Sequence, residues 1–391
     1  MTAAIDRTNP HEQDALGFGV FDPRDYPEED ERALQSEVAS QWKLMWWKFR
    51  QHKLAMFSGG VVILFYLIAL FCEFVAPATA NAYKQEYVHA PPQRLHLFQD
   101  GRFAPFVYGY TFTRDPRSLR KTWSVDESVI IPVGFLVKGE PYKLWGLIPW
   151  DRHLVGPQNA GDPFYPLGSD KSGRDILSRT IYSSRISLTV GLVGVTLSLI
   201  LGILLGGISG LLGGLWDNAI QRVIEILMSI PAIPIILALA AAVPLTWGPL
   251  RVYFIITVIL SLLGWTGLAR VVRSKFLALR KEDFVLAAEL DGVNRYRMIT
   301  RHMLPSFLSH IIASVTLAIP GMILGETALS FLGLGLRPPV VSWGVMLQEA
   351  QKVAVIAIYP WLLYPALAVV IIVLAFNFLG DGLRDAADPY Q

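Results

Sequence analysis

The sequence predicts an all-α polytopic membrane protein with six transmembrane helices and a partly β segment inserted after the first helix. Of its 391 residues, 53% are hydrophobic and only 17% are charged, whereas a soluble domain carries about 25% charged residues. Six apolar stretches are long enough to cross a bilayer core, which needs about 20 helical residues. The single cysteine, Cys72, excludes an intrachain disulfide, and a net charge of +2 gives no indication of nucleic-acid binding.

The six predicted spans are, in order, 54–76, 186–216, 226–250, 252–269, 307–334 and 353–380. The first span is expected to be retained rather than cleaved as a signal peptide, since its apolar run exceeds the ~7–15 residues of a signal peptide. The third span contains Pro231 and Pro234, which are expected to break or bend it and which either shape a cavity or only fit the bundle.

The distribution of lysine and arginine predicts the orientation of the spans. Eight basic residues lie between spans 4 and 5, and four precede span 1 within residues 41–53. The short loops on the other side hold only Arg251, Arg337 and Lys352. Because cytoplasmic loops are enriched in basic residues, both termini and the 4–5 loop are predicted to be cytoplasmic, and the segment 77–185 to face outward.

Three segments outside the spans have distinct compositions. Residues 1–40 hold ten acidic residues and no apolar period, which predicts disorder. Residues 41–53 mix tryptophan with basic residues, which is typical of a helix lying in the membrane interface. The segment 77–185 is predicted to contain two β-hairpins, one around Gln99-Asp100-Gly101 and one around Lys138-Gly139-Glu140. This insert either shields the bundle or docks a partner.

The 4–5 loop combines small residues with a helix-ending glycine. Ala287 and Ala288 are adjacent on a predicted helix that starts near Lys281, and Gly292 follows where a helix can end in the left-handed conformation. A second polar helix is predicted up to Leu304, with Pro305 leading into span 5. Periodicity alone favours equally a docking segment for a partner and an amphipathic connector on the membrane surface.

This loop resembles the "EAA" loop of binding-protein-dependent ABC transporter permeases, whose pattern is EAA-x3-G-x9-I-x-L-P. The matching residues are Ala287, Ala288, Gly292, Leu304 and Pro305, while Leu286 and His302 depart from the pattern. In that family the loop inserts into a cleft of a cytoplasmic ATPase. The resemblance implies that residues 276–305, including Asp283 and Phe284, couple this chain to such an ATPase.

Three further stretches, 166–188, 326–344 and 379–389, resemble the C-type subunits of dipeptide, oligopeptide and nickel permeases. The resemblance covers about 166–391 and span 1. It implies a type I importer permease fold in the bacterial inner membrane, with no enzymatic activity and no cofactor of its own. The implied partners are a second homologous permease, two ATPase subunits that bind ATP and magnesium, a periplasmic substrate-binding protein and membrane lipid, but no nucleic acid.

The cargo stays open at this point. Peptides are expected first by resemblance, then oligosaccharides, because the insert 77–165 is longer than in a typical dipeptide permease, and then nickel. An ion-coupled secondary transporter is the alternative from a different class, although no internal repeat supports it. The GxxxxG spacing of residues 168–173 is not expected to bind nucleotide, because Arg174 and Asp175 replace the lysine and Ser/Thr of a P-loop.

Several residues within the spans are singled out by type and spacing. Four glycines at four-residue spacing predict close helix packing: Gly202, Gly206, Gly210 and Gly214. Arg222 and Glu225 can pair on one helix face. Glu326 either lines the passage or caps a helix break, and the family resemblance implies a structural role at the outer end. The seven histidines show no metal-ligand spacing, and no catalytic set is recognised.

Overall fold

The computed structural model describes residues 41–99, 101–114, 116–117, 121–294 and 297–387. The predicted disorder of residues 1–40 lies outside this part of the chain. Most of the described residues form helices, and a small antiparallel sheet follows the first long helix.

The helices are, in chain order, α1 (Gln41–Gln51), α2 (Lys53–Leu70), α3 (Cys72–Val75), α4 (Ile176–Leu212), α5 (Gly214–Ser229), α6 (Ala232–Ala241), α7 (Pro249–Leu279), α8 (Asp283–Leu290), α9 (Leu304–Ser306), α10 (Leu308–Phe331), α11 (Trp343–Gln348), α12 (Val353–Ile358) and α13 (Tyr364–Ala387). A π-helical turn, Met298–Met303, precedes α9, and 3-10 turns lie at Gln85–Tyr87, Glu349–Gln351 and Pro360–Leu363. The strands are β1 (His96–Gln99), β2 (Arg102–Arg114), β3 (Lys121–Leu144) and β4 (Ile148–Pro157).

Five helical runs of the described chain are long and apolar enough to cross a membrane: α2, α4, α7, α10 and Pro360–Ala387. The number is six if α5 and α6 together form one broken span. These two helices meet at an angle of 87°, and Pro231 lies at the junction, where its missing N–H and its ring oppose a continuous helix. The break predicted from Pro231 is therefore present.

The second predicted span begins ten residues too late in the sequence-based assignment. The predicted span, 186–216, is the stretch without charged residues; α4 begins earlier, at Ile176, and includes Arg179 and Arg185. Both arginines are paired, the first with Asp170 and the second with Glu73, so they do not end the helix. The insert predicted at 77–185 therefore includes the first turns of α4.

Three other predicted spans also differ from the observed helices. The third, predicted at 226–250, corresponds to the broken pair α5 and α6, which begins at Gly214 and ends at Ala241. The fourth, predicted at 252–269, belongs to the longer helix α7, whose last turns carry Arg273 in an ion pair with Asp217. The sixth, predicted at 353–380, is divided: α12 ends at Ile358, and a new helical run begins at Pro360. A proline is well accommodated at the first position of a helix but not inside one.

The core of the helical bundle is the contact between α4 and α7. The two helices run parallel, because successive residues of α4 meet successive residues of α7, from Gly194 beside Ser261 to Gly210 beside Phe276. The Ser261 hydroxyl donates to the Gly194 carbonyl oxygen at 3.0 Å, and the Ser198 hydroxyl donates to the Ser261 carbonyl oxygen at 3.1 Å. Helices α10, α13 and α2 complete the apolar core.

The sheet has the strand order β1-β2-β3-β4, with every neighbouring pair antiparallel. Gln99 pairs with Arg102 across the first predicted hairpin, whose Gly101 has φ +76°, as expected for an Asp-Gly turn. The second predicted hairpin is misplaced, because the chain turns at residues 145–147 and not at 138–140. Gly139 lies inside β3, where a Cβ atom would come within 2.5 Å of the His153 ring.

The bundle has two ends that differ in what they carry. At the first, called the sheet end, α2 finishes and α4 begins. Trp145 of the sheet donates to the Leu70 carbonyl oxygen there, and the Ala78 amide donates to the Ser178 hydroxyl. At the opposite end, called the α8 end, α8 packs against Phe276 near the close of α7. Helices α4 and α7 therefore both run from the sheet end to the α8 end.

Candidate functional site

The candidate coupling segment begins with the eight-residue helix α8. Gly292 follows it with φ +72°, the left-handed conformation that glycine adopts most readily. The Gly292 amide donates to the Glu289 carbonyl oxygen and the Val293 amide to the Ala288 carbonyl oxygen, both at 3.1 Å. These bonds occupy carbonyls that a helix end leaves unpaired, so the chain reverses sharply after α8.

The inner face of α8 is anchored to the bundle. Val285 and Ala288 are buried. Val285 belongs to an apolar cluster whose other members are Val272, Phe276, Met298, Met303, Phe307 and Ile311. The rings of Phe276 and Phe307 meet edge to face with centroids 5.6 Å apart. Leu304, of α9, packs on the same cluster. The cluster joins α7, α8 and α10, so α8 is held in a fixed position.

The outer face of α8 is apolar and exposed. Phe284 is 42% exposed and Leu290 is 89% exposed. Asp283 and Ala287 lie on the same exposed surface, and Pro305 is also exposed. The sequence pattern does not distinguish Ala287 from Ala288, but the structure does: Ala287 is exposed, whereas Ala288 is buried. Exposed large apolar side chains on a short helix are typical of an interaction surface.

Three of the four predicted packing glycines lie in the contact between α4 and α7. An added Cβ would come within 2.9 Å of Leu268 at Gly202, within 2.5 Å of the Ala269 carbonyl oxygen at Gly206, and within 2.7 Å of the Phe276 Cβ at Gly210. The fourth, Gly214, lies outside this stripe, because α4 ends at Leu212 and α5 begins at Gly214. No described heavy atom lies within 4 Å of a Cβ built at that position.

A bidentate ion pair joins α5 to α7 near the α8 end. The Arg273 guanidinium donates to both carboxylate oxygens of Asp217 at 2.6 Å. The Ser209 hydroxyl of α4 donates to the same carboxylate. A bidentate arginine–carboxylate pair fixes orientation as well as distance, so α4, α5 and α7 are connected at this end. This pair was not predicted from the sequence, although Asp217 and Arg273 lie at the edges of apolar runs, where an ion pair between helix ends could have been expected.

Arg222 and Glu225 form the pair that the sequence predicted on α5. Their side chains approach to 2.9 Å, and both are exposed, so the pair contributes little to stability. Pro231 lies at the break between α5 and α6, and Pro234 lies in the first turn of α6. Both prolines therefore lie where the broken span changes direction.

Glu326 is completely buried at the sheet end of α10. Its carboxylate accepts from the Ser187 hydroxyl of α4 at 3.1 Å and from the Ser330 hydroxyl at 2.8 Å. The same serines also accept backbone amides, Ser187 from Trp343 and Ser330 from Leu336. This network connects α4, α10 and the chain before α11. Because the hydrogen bonds of the buried Glu326 carboxylate and its two serine partners reach all three segments, they hold these segments together.

Residues 168–175 form a tight turn before α4. The Asp170 carboxylate accepts from the Arg174 guanidinium at 2.7 Å and from the Arg179 guanidinium at 2.9 Å. It also accepts the backbone amides of Ser172 and Arg174, while the Lys171 amide donates to Glu349. These amides therefore donate to acceptors of the chain itself, whereas a phosphate-binding loop directs them to its ligand.

Asp175 begins α4 as its N-terminal cap. Its carboxylate accepts the Ser178 amide at 2.7 Å and the Leu177 amide at 3.3 Å, which supplies partners for two free donors of the first helical turn. Burial raises the pKa of the Asp175 carboxyl to about 6, although its hydrogen bonds with Ser178 act in the opposite direction. This cap explains why α4 begins at Ile176, before the apolar run.

Glu73 and Arg185 were not singled out as partners from the sequence. Arg185 donates to both carboxylate oxygens of Glu73, to the second at 2.6 Å. It also donates to the Ala69 and Leu70 carbonyl oxygens at 2.9 Å. Because the last carbonyls of a helix lack partners within the helix, Arg185 completes the end of α2. Among the described residues, no group of three or more His, Cys, Asp or Glu could hold a metal ion.

A bundle of apolar helices with ion pairs near the helix ends defines a multi-pass membrane protein. Two family models match its sequence. The model of the binding-protein-dependent transport system inner membrane component matches residues 202–390, and that of the N-terminal TM domain of oligopeptide transport permease C matches residues 40–92. The chain belongs to this family of ABC transporter permeases, which are transport subunits and generally not enzymes.

Curated relatives support the same assignment. The chain is 40% identical to the oligopeptide transport system permease protein OppC of Haemophilus influenzae, over 61% of this chain and 74% of that protein. It is 37% identical to the dipeptide transport system permease protein DppC of Bacillus subtilis, over 57% of this chain and 68% of that protein. A third relative, DppC of Lactococcus lactis, is 31% identical over 88% of this chain and 89% of that protein.

Proposed function

We propose that this chain is the permease subunit of an ATP-driven importer, that it forms half of a pore for oligopeptide uptake, and that α8 couples it to a cytoplasmic ATPase. The observation that carries the proposal is the two-faced character of α8. Its inner side, at Val285 and Ala288, is packed on the bundle, whereas its outer side exposes Phe284 and Leu290. A short helix held in this way can accept a partner and transmit its movement to α7 and α10.

The family and the sequence together support the remaining parts of the assembly. A second homologous permease would complete the pore, two ATPase subunits would bind ATP and magnesium, and a periplasmic binding protein would deliver the cargo. In the bacterial inner membrane, the α8 end and both termini would lie on the cytoplasmic side, in accordance with the basic residues of the 4–5 loop. The sheet end would then face outward.

The relatives favour peptides as the cargo. The three reported relatives are named for oligopeptide or dipeptide transport. The match with the Lactococcus protein spans 88% of this chain, which is enough to include the insert at 77–165. A long insert therefore does not by itself favour oligosaccharides over peptides.

The test is purification of the chain from its native host in mild detergent, followed by mass spectrometry of the proteins recovered with it. The chain carrying Ala287→Arg is compared with a matched variant, Ala160→Arg, since both alanines are exposed and lie at opposite ends of the bundle. We expect an ATPase and a second permease with the unaltered chain and with Ala160→Arg, and loss of the ATPase with Ala287→Arg.

Two results would contradict parts of the proposal. Equal recovery of the ATPase with Ala287→Arg would show that the outer face of α8 is not the docking surface. Recovery of the unaltered chain without any ATPase would favour an ion-coupled secondary transporter. The cargo is tested with the recovered complex in proteoliposomes, where ATP-dependent uptake of labelled oligopeptides is compared with uptake of labelled oligosaccharides. Uptake of the sugars alone would refute the peptide assignment.

A further inference from the structure

The tip of the β3–β4 hairpin carries exposed apolar side chains. The tip comprises residues 145–147 together with Ile148 and Trp150. Leu147 is 79% exposed and Trp150 is 50% exposed, and nearly half of Trp145 and Ile148 is also exposed. A cluster of this kind on the surface of a sheet is characteristic of a contact with an apolar partner.

The tip is attached to the end of a membrane-crossing helix. The Trp145 indole N–H donates to the carbonyl oxygen of Leu70 at 2.8 Å, and its ring lies 5.6 Å from that of Phe71. Leu70 is the last residue of α2, whose final carbonyls have no partner within the helix. Trp145 has φ +53°, a left-handed conformation that residues with a Cβ atom rarely adopt. The turn therefore holds the indole at the end of α2.

The base of the hairpin is fixed to the chain that follows α2. The His153 ring is completely buried, with Nδ1 2.6 Å from the Ala76 carbonyl oxygen and Nε2 3.1 Å from the Glu140 carbonyl oxygen. The Thr79 hydroxyl donates to the Glu140 carboxylate at 2.7 Å. The absence of a side chain at Gly139 leaves room for the His153 ring. The hairpin therefore cannot swing away from α2 without breaking these contacts.

The depth of the tip follows from the length of α2. This helix has 18 residues, which correspond to about 27 Å at 1.5 Å per residue, close to the ~30 Å of a bilayer hydrocarbon core. Leu70 therefore lies near one boundary of the core. The lipid-facing surface of α2 includes the exposed side chains of Leu67 and Leu70 and continues into the hairpin tip through Trp145.

We propose that the tip of the β3–β4 hairpin is immersed in the lipid bilayer at the level where α2 leaves the hydrocarbon core. Tryptophan is enriched at this level, where its ring is apolar and its N–H is polar. Lys143 is exposed just before the tip, where its ammonium group can reach lipid phosphates while its stem contacts the apolar region. The hairpin thus adds a second membrane contact beside span 1.

The test places a nitroxide label at the tip of the full chain in nanodiscs of phosphatidylcholine and phosphatidylglycerol. Cys72 is first replaced by serine, and the label is attached to Leu147→Cys. The matched control is Glu127→Cys, an exposed site in the same strand β3 about 55 Å of extended strand from its end. Collisions with oxygen, which concentrates in lipid, are compared with collisions with a water-soluble nickel chelate.

We expect oxygen collisions to dominate at Leu147→Cys and nickel collisions to dominate at Glu127→Cys. Dominance of nickel at both sites would overturn the proposal, because the tip would then lie in water. Low accessibility of Leu147→Cys to both reagents would also overturn it, because a protein surface would then cover the tip.

A second measurement needs no label. Lipids brominated on their acyl chains quench tryptophan fluorescence on contact, and Trp150→Phe should lower the quenched fraction of the emission. Trp123→Phe, in the first half of β3, should not lower that fraction. Equal quenching of the unaltered chain and of Trp150→Phe would contradict the immersion of the tip.

Discussion

Adjacent glycines of α4 allow a direct test of the close approach between α4 and α7. Gly206 and Gly207 are both buried in the last two turns of the same helix. A Cβ at Gly206 would lie 2.5 Å from the Ala269 carbonyl oxygen and 2.9 Å from the Val272 Cβ, whereas at Gly207 the nearest atom would be 3.9 Å away. The first position lacks space for a methyl group, and the second accommodates one at ordinary contact distance.

The expected magnitudes follow from two opposing effects. Alanine stabilises a helix interior by about 0.8–1 kcal/mol relative to glycine, and this gain applies equally to Gly206→Ala and Gly207→Ala. Overpacking against a rigid backbone destabilises by about 1–3 kcal/mol, and it applies only to Gly206→Ala. The helix gain cancels in the comparison, so Gly206→Ala should be less stable than Gly207→Ala by about 1–3 kcal/mol.

The assay is unfolding of the purified full-length chain in detergent, followed by intrinsic fluorescence during a denaturant titration. Gly207→Ala should be as stable as the unaltered chain or more stable, and Gly206→Ala should unfold at lower denaturant than Gly207→Ala. If Gly206→Ala were as stable as Gly207→Ala, the two helices would not approach as closely as the structure indicates, and the packing role assigned to the glycine stripe would be wrong.

Three further predictions concern the other sites. Leu290→Ser should leave the unfolding of the chain unchanged, because the Leu290 side chain is exposed. It should weaken association with the proposed ATPase by about 1.5–3 kcal/mol, measured as the dissociation constant of the complex. An unchanged dissociation constant would exclude Leu290 from the interface. Glu326→Ala should destabilise the chain by about 1–3 kcal/mol for each donor left unpaired, whereas Glu326→Gln keeps one acceptor oxygen and can donate from its NH2 group to the other serine hydroxyl, so it should destabilise less; equal denaturation midpoints of the two variants would refute this. Because the folded-state pKa of Asp175 is raised from 3.8 to about 6, the stability that the Asp175 carboxyl contributes is present below pH 4 and is lost as the pH rises through 6. Asp175→Asn should therefore reduce this pH dependence of the unfolding midpoint. An identical pH dependence in the variant would show that another group is responsible.

The sequence predicts the existence of the membrane helices better than their ends. Hydropathy identifies the apolar middle of α4 but not its first turns, because Arg179 and Arg185 look unsuited to a membrane segment. The two arginines meet their partners, Asp170 and Glu73, only once the chain has folded. Hydropathy treats each charge by itself, whereas the position of a helix end depends on whether that charge finds a partner or a cap.

Turn chemistry predicts one hairpin and misplaces the other for a similar reason. Gly101 lies in a turn, where glycine supplies a left-handed conformation. Gly139 lies instead in a strand, where it leaves space for His153. A glycine that allows a turn and a glycine that makes room for a side chain look alike in a single sequence. Only the place of His153 in the folded chain shows that Gly139 is of the second kind.

Periodicity could not determine which alanine of the candidate coupling segment faces outward. Helix α8 has eight residues, too few for a clear amphipathic pattern, and its inner side is defined by residues from α7, the π-helical turn and α10. The structure directs Ala287 outward and Ala288 inward. Ala288→Arg, which a sequence-based design would choose to disrupt docking, should also disturb the apolar cluster, so Ala287→Arg is the more specific variant.

Helix α4 connects the two ends of the bundle through contacts of different kinds. At the sheet end, Arg179 and Arg185 bind Asp170 and Glu73, and Ser187 donates to Glu326. These are directional contacts that require a definite rotation of the helix. Towards the α8 end, glycines bring α4 against the backbone of α7, where tight packing resists sliding. A displacement of α8 can therefore reach the sheet end through α7 and α4 moving together, and separating these two helices at Gly206 should weaken this connection while leaving both ends intact.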